Sequence, residues 1–188
     1  MTQLYLIRHG IAVERGSYPT DAERPLTPEG DRKTRKVAKQ LAKLDIRFDI
    51  LFSSPLVRAR QTAKILEERG LAGDLRETST LAPGGDIHQW IDRLASLQLP
   101  PECDRPCIGL VGHQPDLGNW AQMLVWGETG DRIVLKKAGI LGLTLPESGF
   151  PIGRSLLFWL TPPKFLLPAK TRKWFLRLQI PDYSLTDE

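Results

Sequence analysis

Apolar residues follow two alternating rhythms along this chain. Residues 4–7 (Leu4-Tyr5-Leu6-Ile7), 48–52 and 108–111 are short apolar runs, the pattern of strands buried on both faces. Between them, Val37, Ala38, Leu41 and Leu44 recur at helical spacing. So do Ile87, Trp90, Ile91, Leu94 and Leu97, and then Leu117, Trp120, Ala121 and Leu124, each a stripe facing a core. A further helix is expected from Arg58 to about Arg69, stopped by Gly70, and a weaker strand over residues 75–80. Strands alternating with helices predict a three-layer, doubly wound α/β fold, a mostly parallel sheet with helices on both faces.

The punctuation supports these elements. Thr27 can cap a helix with Pro28 at its first position, where the missing N–H costs nothing, and Asp86 can cap the third helix. Ser53-Ser54-Pro55 predicts a cap followed by a first-turn proline. Residues 133–135, 140–145 and 155–160 have β character and are expected to complete the sheet, including an antiparallel edge strand. One domain over residues 1–163 is the expectation, with residues 164–188 a tail that packs on it or extends it. In that tail Lys170, Arg172, Lys173 and Arg177 interleave with Phe165, Trp174 and Phe175. Such a mixture can bind nucleic acid or an acidic membrane, but packing against the domain or self-association is the expected use.

Composition narrows the class. The chain has 188 residues, 41% hydrophobic and 26% charged, enough for one sizeable core. The formal charge, 26 − 22 = +4, favours phosphorylated or acidic partners without arguing for nucleic acid. The basic residues between positions 32 and 43 read as a solvated helix face. No apolar run approaches the ~18 residues of a membrane span, and a signal peptide's pattern is absent before Arg8, so a cytoplasmic protein is expected. Cys103 and Cys107 lack a second ligand pair for zinc and read as reduced thiols; no metal or cofactor is expected.

The chemistry concentrates after the strands. Arg8-His9-Gly10 follows the first strand, Arg58 lies early in the helix after the second, and Gly112-His113 follows the strand at 108–111. In a parallel sheet these carboxyl-end positions converge on one crevice. An arginine fork matches phosphate oxygens and a neutral imidazole can attack phosphorus. A glycine lets the backbone approach an anion closely. Helix N-termini add positive potential for a phosphoryl group.

Three blocks, Leu6-Ile7-Arg8-His9-Gly10, Ser53-Ser54-Pro55-Leu56-Val57-Arg58-Ala59-Arg60-Gln61-Thr62-Ala63 and Val111-Gly112-His113, resemble in order the motifs of the histidine phosphatase superfamily, with its phosphoglycerate-mutase-like fold. Arg24-Pro25-Leu26-Thr27-Pro28-Glu29-Gly30, Leu81-Ala82-Pro83-Gly84-Gly85-Asp86 and Gly112-His113-Gln114-Pro115-Asp116-Leu117 resemble its SixA-type branch of phosphohistidine phosphatases. The resemblance implies that His9 is the nucleophile, forming a covalent phosphohistidine. It implies that Arg8, Arg58 and His113 surround the phosphoryl oxygens, His113 as a donor when protonated. Arg24 stands where that branch carries an arginine near the substrate. Arg60, two residues from Arg58, faces elsewhere on the helix and reads as structural or solvated.

Larger members of the superfamily carry a glutamate general acid before an inserted lid, and no clear equivalent stands in this shorter chain. Glu77 and Asp86 are the nearby carboxylates and the candidate proton donors. A phosphoester needs its leaving oxygen protonated, whereas the N–P bond of phosphohistidine is labile. The expected substrate is therefore a phosphohistidine-bearing protein, such as a histidine phosphotransfer domain. The alternatives are a small phosphomonoester or sugar phosphate, and a non-catalytic phosphate-binding module.

Overall fold

The computed structural model describes residues 1–97, 105–130 and 132–167. Strand β1 (Gln3–Arg8) lies inside a six-stranded sheet and alternates Leu4 and Leu6 to one face with Tyr5 and Ile7 to the other. Burial on both faces stabilises such a strand by roughly 1.5–3 kcal/mol per large side chain. It also explains the unbroken apolar run.

In chain order the remaining elements are α1 (Pro28–Lys43), β2 (Ile50–Ser53), α2 (Val57–Glu68), β3 (Leu75–Glu77), α3 (Ile87–Ala95), β4 (Cys107–Gly112), α4 (Asp116–Trp126), β5 (Ile140–Thr144), β6 (Leu156–Thr161) and the short α5 (Pro163–Leu166). The sheet order is β3-β2-β4-β1-β5-β6. Strands β3, β2, β4 and β1 are parallel; β5 runs antiparallel to β1 and β6 antiparallel to β5. The antiparallel strand is thus β5, one place in from the edge, and β6 at the edge again runs with β1.

Helices cover both faces. Leu4, Leu6, Phe52 and Leu110 pack with Trp90 and Ile91 of α3 and Leu117, Trp120 and Leu124 of α4. On the other side Tyr5, Ile7 and Leu51 meet Val37 and Leu41 of α1 and Ala59, Ala63 and Leu66 of α2. The basic residues of α1 lie opposite this stripe. Leu166 of α5 is buried against the second cluster while Phe165 is exposed. The tail beyond Leu167, and Cys103, lie outside the described residues. Among the described residues no helix is long and apolar enough to cross a membrane.

Two caps form as expected: Thr27 Oγ1 accepts the Gly30 N–H at 2.9 Å and Asp86 Oδ1 accepts the His88 N–H at 2.8 Å. Two other expectations are corrected. Helix α2 begins at Val57 with Leu56 at its cap position and no side-chain cap, because Ser54 stands two residues before that position and its Oγ accepts the Leu56 N–H. Residues 133–135 form no strand. Their backbone is taken by side chains instead: Gln114 Nε2 donates to the Ile133 carbonyl at 3.1 Å, and the Leu135 carbonyl accepts from Arg8 Nη1 at 2.7 Å. Apolar Ile133 and Leu135 are still buried, which is the part of the strand pattern that sequence detects.

Candidate active site

Register brings the site together. Ile7 pairs with Val111, Arg8 with Gly112, and Ser53 with Val111, so β1, β4 and β2 end at the same level. Arg8 and His9, then His113, then Arg58 in the first turn of α2 emerge side by side. The ends of strands and starts of helices are where α/β sheets leave a crevice. Here it is a cavity of about 460 Å³ lined by, among others, Arg8, His9, Arg24, Arg58, His113 and Lys137.

His9 is buried, and its Nδ1–H donates to the Gly10 carbonyl at 2.7 Å. That bond fixes the tautomer and leaves the Nε2 lone pair for attack. Burial, then His113 with its ring centre 5.1 Å away, then Arg58 and Arg8 push the His9 pKa down to about 3. The ring is neutral at physiological pH, as a nucleophile must be.

His113 Nε2 meets the Ser54 hydroxyl at 2.8 Å. Ser54 is fully buried and accepts the Leu56 N–H at 3.3 Å; among the described residues Nε2 is the acceptor within reach of its own proton, which places the His113 proton on Nδ1. Burial, followed by the charge of Arg58, lowers the His113 pKa to about 4. In this tautomer His113 donates from Nδ1 whether the ring is neutral or, beside a phosphoryl dianion, protonated.

The cations are held from behind. Arg58 donates from Nη1 and Nη2 to the backbone carbonyl and Oδ2 of Asp21 at 2.6 and 2.8 Å. Arg24 is buried, donating to the Val13 carbonyl and to Asp21. Burial lowers the pKa of Arg8 and of Arg58, though not enough to remove a guanidinium's charge near neutrality. Arg8 Nε, Arg58 Nε and His113 Nδ1 are the buried side-chain polar atoms without a hydrogen-bond partner among the described residues. All three are nitrogens on residues lining this cavity, and unpaired buried donors are uncommon unless a ligand takes them.

The structure brings Arg8, His9, Arg24, Arg58 and His113 to one cavity. It does not bring Glu77 or Asp86 there. Glu77 is exposed and 3.9 Å from Arg60, and Asp86 spends its carboxylate capping α3; the carboxylates that line the cavity are Glu14 and Asp116. Gly10 also differs from its expected use. A Cβ there would stand 2.5 Å from Thr34 Oγ1, so its smallness admits α1 more directly than it admits an anion. Sequence reasoning missed Asp21, Ser54 and Lys137. Asp21, three residues before Arg24 and of opposite charge, carried a local signal, and Ser54 lay inside the second motif block, where it read only as a cap. Among the described residues no group of three or more His, Cys, Asp or Glu could hold a metal ion.

The two depressed histidines have a pH consequence. The unfolded chain takes up these protons near 6.5, whereas the folded chain resists until about 4 for His113 and 3 for His9. The unfolded state thus binds more protons below pH 6.5, so folding stability decreases as pH is lowered, by up to about 1.4 kcal/mol per unit for each histidine. Urea unfolding between pH 7 and 5 should show this fall. A flat profile there would mean that the rings are not held neutral.

Comparison with known proteins places this geometry. The model of the histidine phosphatase superfamily (branch 1) matches residues 4–81. An uncharacterized protein of Picosynechococcus is 42% identical over 167 residues, spanning 88% of this chain and 99% of that protein. The phosphohistidine phosphatase SixA of Escherichia coli is 30% identical over 151 residues, spanning 78% of this chain and 88% of that protein. A solved structure of the protein histidine phosphatase SixA complexed with tungstate superposes with a TM-score of 0.73 at 26% identity, covering 87% of this chain and 99% of that one.

Proposed function

The chain belongs to the histidine phosphatase superfamily, and from that premise we propose that it is a phosphohistidine phosphatase acting on a phosphorylated histidine of another protein. The observation that carries the reading is His9: neutral, with Nδ1 tied to the Gly10 carbonyl and Nε2 left inside a ring of cations. Its Nε2 attacks the phosphorus, a new N–P bond forms and the substrate's N–P bond breaks with its electron pair passing to the leaving nitrogen; the substrate imidazole departs neutral because it carries a proton on its other ring nitrogen, while His9 keeps its own proton on Nδ1. Water then attacks the phosphoryl group on His9, releasing orthophosphate and restoring the neutral ring. Arg8, Arg24, Arg58 and the Nδ1–H of His113 stabilise the charge spread over the equatorial oxygens, the main demand of a loose transition state.

Substrate class follows from proton supply. Neither Glu77 nor Asp86 lines the cavity, where the carboxylates are Glu14 and Asp116, and the reading rests on leaving-group chemistry: an imidazole that carries a ring proton leaves without the acid that an alkoxide needs. A partner of the histidine phosphotransfer type, met in the cytoplasm, is the proposed context.

Purified protein incubated with a phosphohistidine protein should acquire an acid-labile, base-stable label on His9. Release from that substrate should exceed release from phosphoserine or a sugar phosphate at least about 100-fold in kcat/KM, the margin expected of one missing general acid. Equal or better turnover of the phosphoesters would favour the small-molecule alternative, and absence of any label on His9 would remove the nucleophile assignment.

A further inference from the structure

Asp21 joins two arginines that reach the cavity from different parts of the chain. Its Oδ1 accepts from Arg24 Nε at 2.9 Å and is ion-paired with Nη2 at 2.7 Å. Its Oδ2 accepts from Arg58 Nη2 at 2.8 Å, and its backbone carbonyl from Arg58 Nη1 at 2.6 Å. Arg15, which also lines the cavity, has its Nε 3.6 Å from Oδ1. Arg24 and Arg58 line the cavity; Asp21 does not.

We propose that Asp21 is a positioning residue that holds Arg24 and Arg58 as one preformed phosphate clamp. This rests on the reading of His9 as the phosphoryl acceptor, and adds to it the group that sets the clamp's spacing. Two guanidinium groups this buried, 3% exposed for Arg58 and 8% for Arg24, repel each other and have lost much of their hydration. A carboxylate shared between them offsets both costs. It also fixes geometry: one oxygen serves each arginine, so their separation is set by the width of a single carboxylate. Arg58 is held twice by the same residue, through main chain and side chain, which settles the plane of its fork.

The acidity of Asp21 accords with this work. Burial alone would raise its pKa, but hydrogen bonds from Arg24 and Arg58 outweigh burial and hold it below the usual carboxylate value. Asp21 therefore stays ionised and does not serve as the missing proton donor. It neutralises one charge only, leaving Arg8, Lys137 and the remaining arginine charge to attract a phosphoryl dianion. Its turn, Asp21–Glu23, lies on the surface and the residue is 44% exposed, so substitution there should leave the core intact.

The test separates capture of phosphate from its transfer. Asp21→Asn removes a negative charge beside the site while keeping shape and an acceptor. Orthophosphate measured by calorimetry should bind it within about threefold of wild type or more tightly, since repulsion of the anion has been relieved. Its kcat on a phosphohistidine protein should fall about 10–100-fold, the cost of slack in groups that must meet the transition state. Asp21→Ala should lose more than Asp21→Asn, with KM not raised in step. A merely structural role predicts a lower Tm with unchanged kcat per folded molecule. That result, or kcat within twofold of wild type in both variants, overturns the inference. Wild-type labelling of His9 is the control: if wild type takes no label, the His9 reading fails, and if it labels while the variants label equally fast, only the Asp21 inference fails.

Discussion

His9→Ala is expected to lower kcat on a phosphohistidine protein by roughly 10⁴-fold or more, because it removes the atom that receives the phosphoryl group. No neighbour can replace it. His113 Nε2 is engaged by Ser54, and its Nδ1 carries the proton in the tautomer that this contact selects. The variant should still fold, since His9 contributes one hydrogen bond to the adjacent Gly10 carbonyl and sits at the end of β1, not within its paired span. Phosphate release in single-turnover mixing, together with acid-labile label on the protein, reads the effect. Turnover within tenfold of wild type in a folded variant would show that another group accepts the phosphoryl.

Arg58→Lys is expected to cost about 10²–10³-fold in kcat/KM, although it conserves charge, because a lysine ammonium cannot reproduce a planar fork. Arg58 spends Nη1 on the Asp21 carbonyl and Nη2 on the Asp21 carboxylate, which aims the rest of the guanidinium. Arg58→Ala should be at least as damaging and has a second signature. Arg58 follows burial as the leading cause that depresses His113, and it also depresses His9. Removing its charge should move both titrations upward, and ring-nitrogen NMR from pH 7 to 4 should record the direction. Unshifted rings with lost activity would mean that Arg58 acts only on the substrate.

The motif residues that reach the site were legible because each follows a strand whose burial is written in consecutive apolar residues. Arg8 and His9 end the run of β1, His113 ends that of β4, and Arg58 opens α2 just after β2. Proton donors were not legible. Asp86 reads first as a helix cap and also as a candidate acid, and the 2.8 Å bond from the His88 N–H shows the cap formed. Residues 133–135 read as a strand because burial and β propensity coincide there, yet Arg8 and Gln114 side chains take their backbone groups.

What sequence by itself determined is the α/β alternation, both faces of the sheet and the residues that stand at its carboxyl ends, since periodicity and chain order are local properties. What the tertiary structure decided is how those residues are used: the tautomers of His9 and His113, the depressed acidity of both rings, and the pairing of Arg24 with Arg58 through Asp21. These depend on burial and on contacts between segments distant in the chain, such as Ser54 and His113, 59 positions apart, or His9 and His113. Hydrogen bonds and desolvation act over a few ångströms in space, and distance along the chain does not encode them.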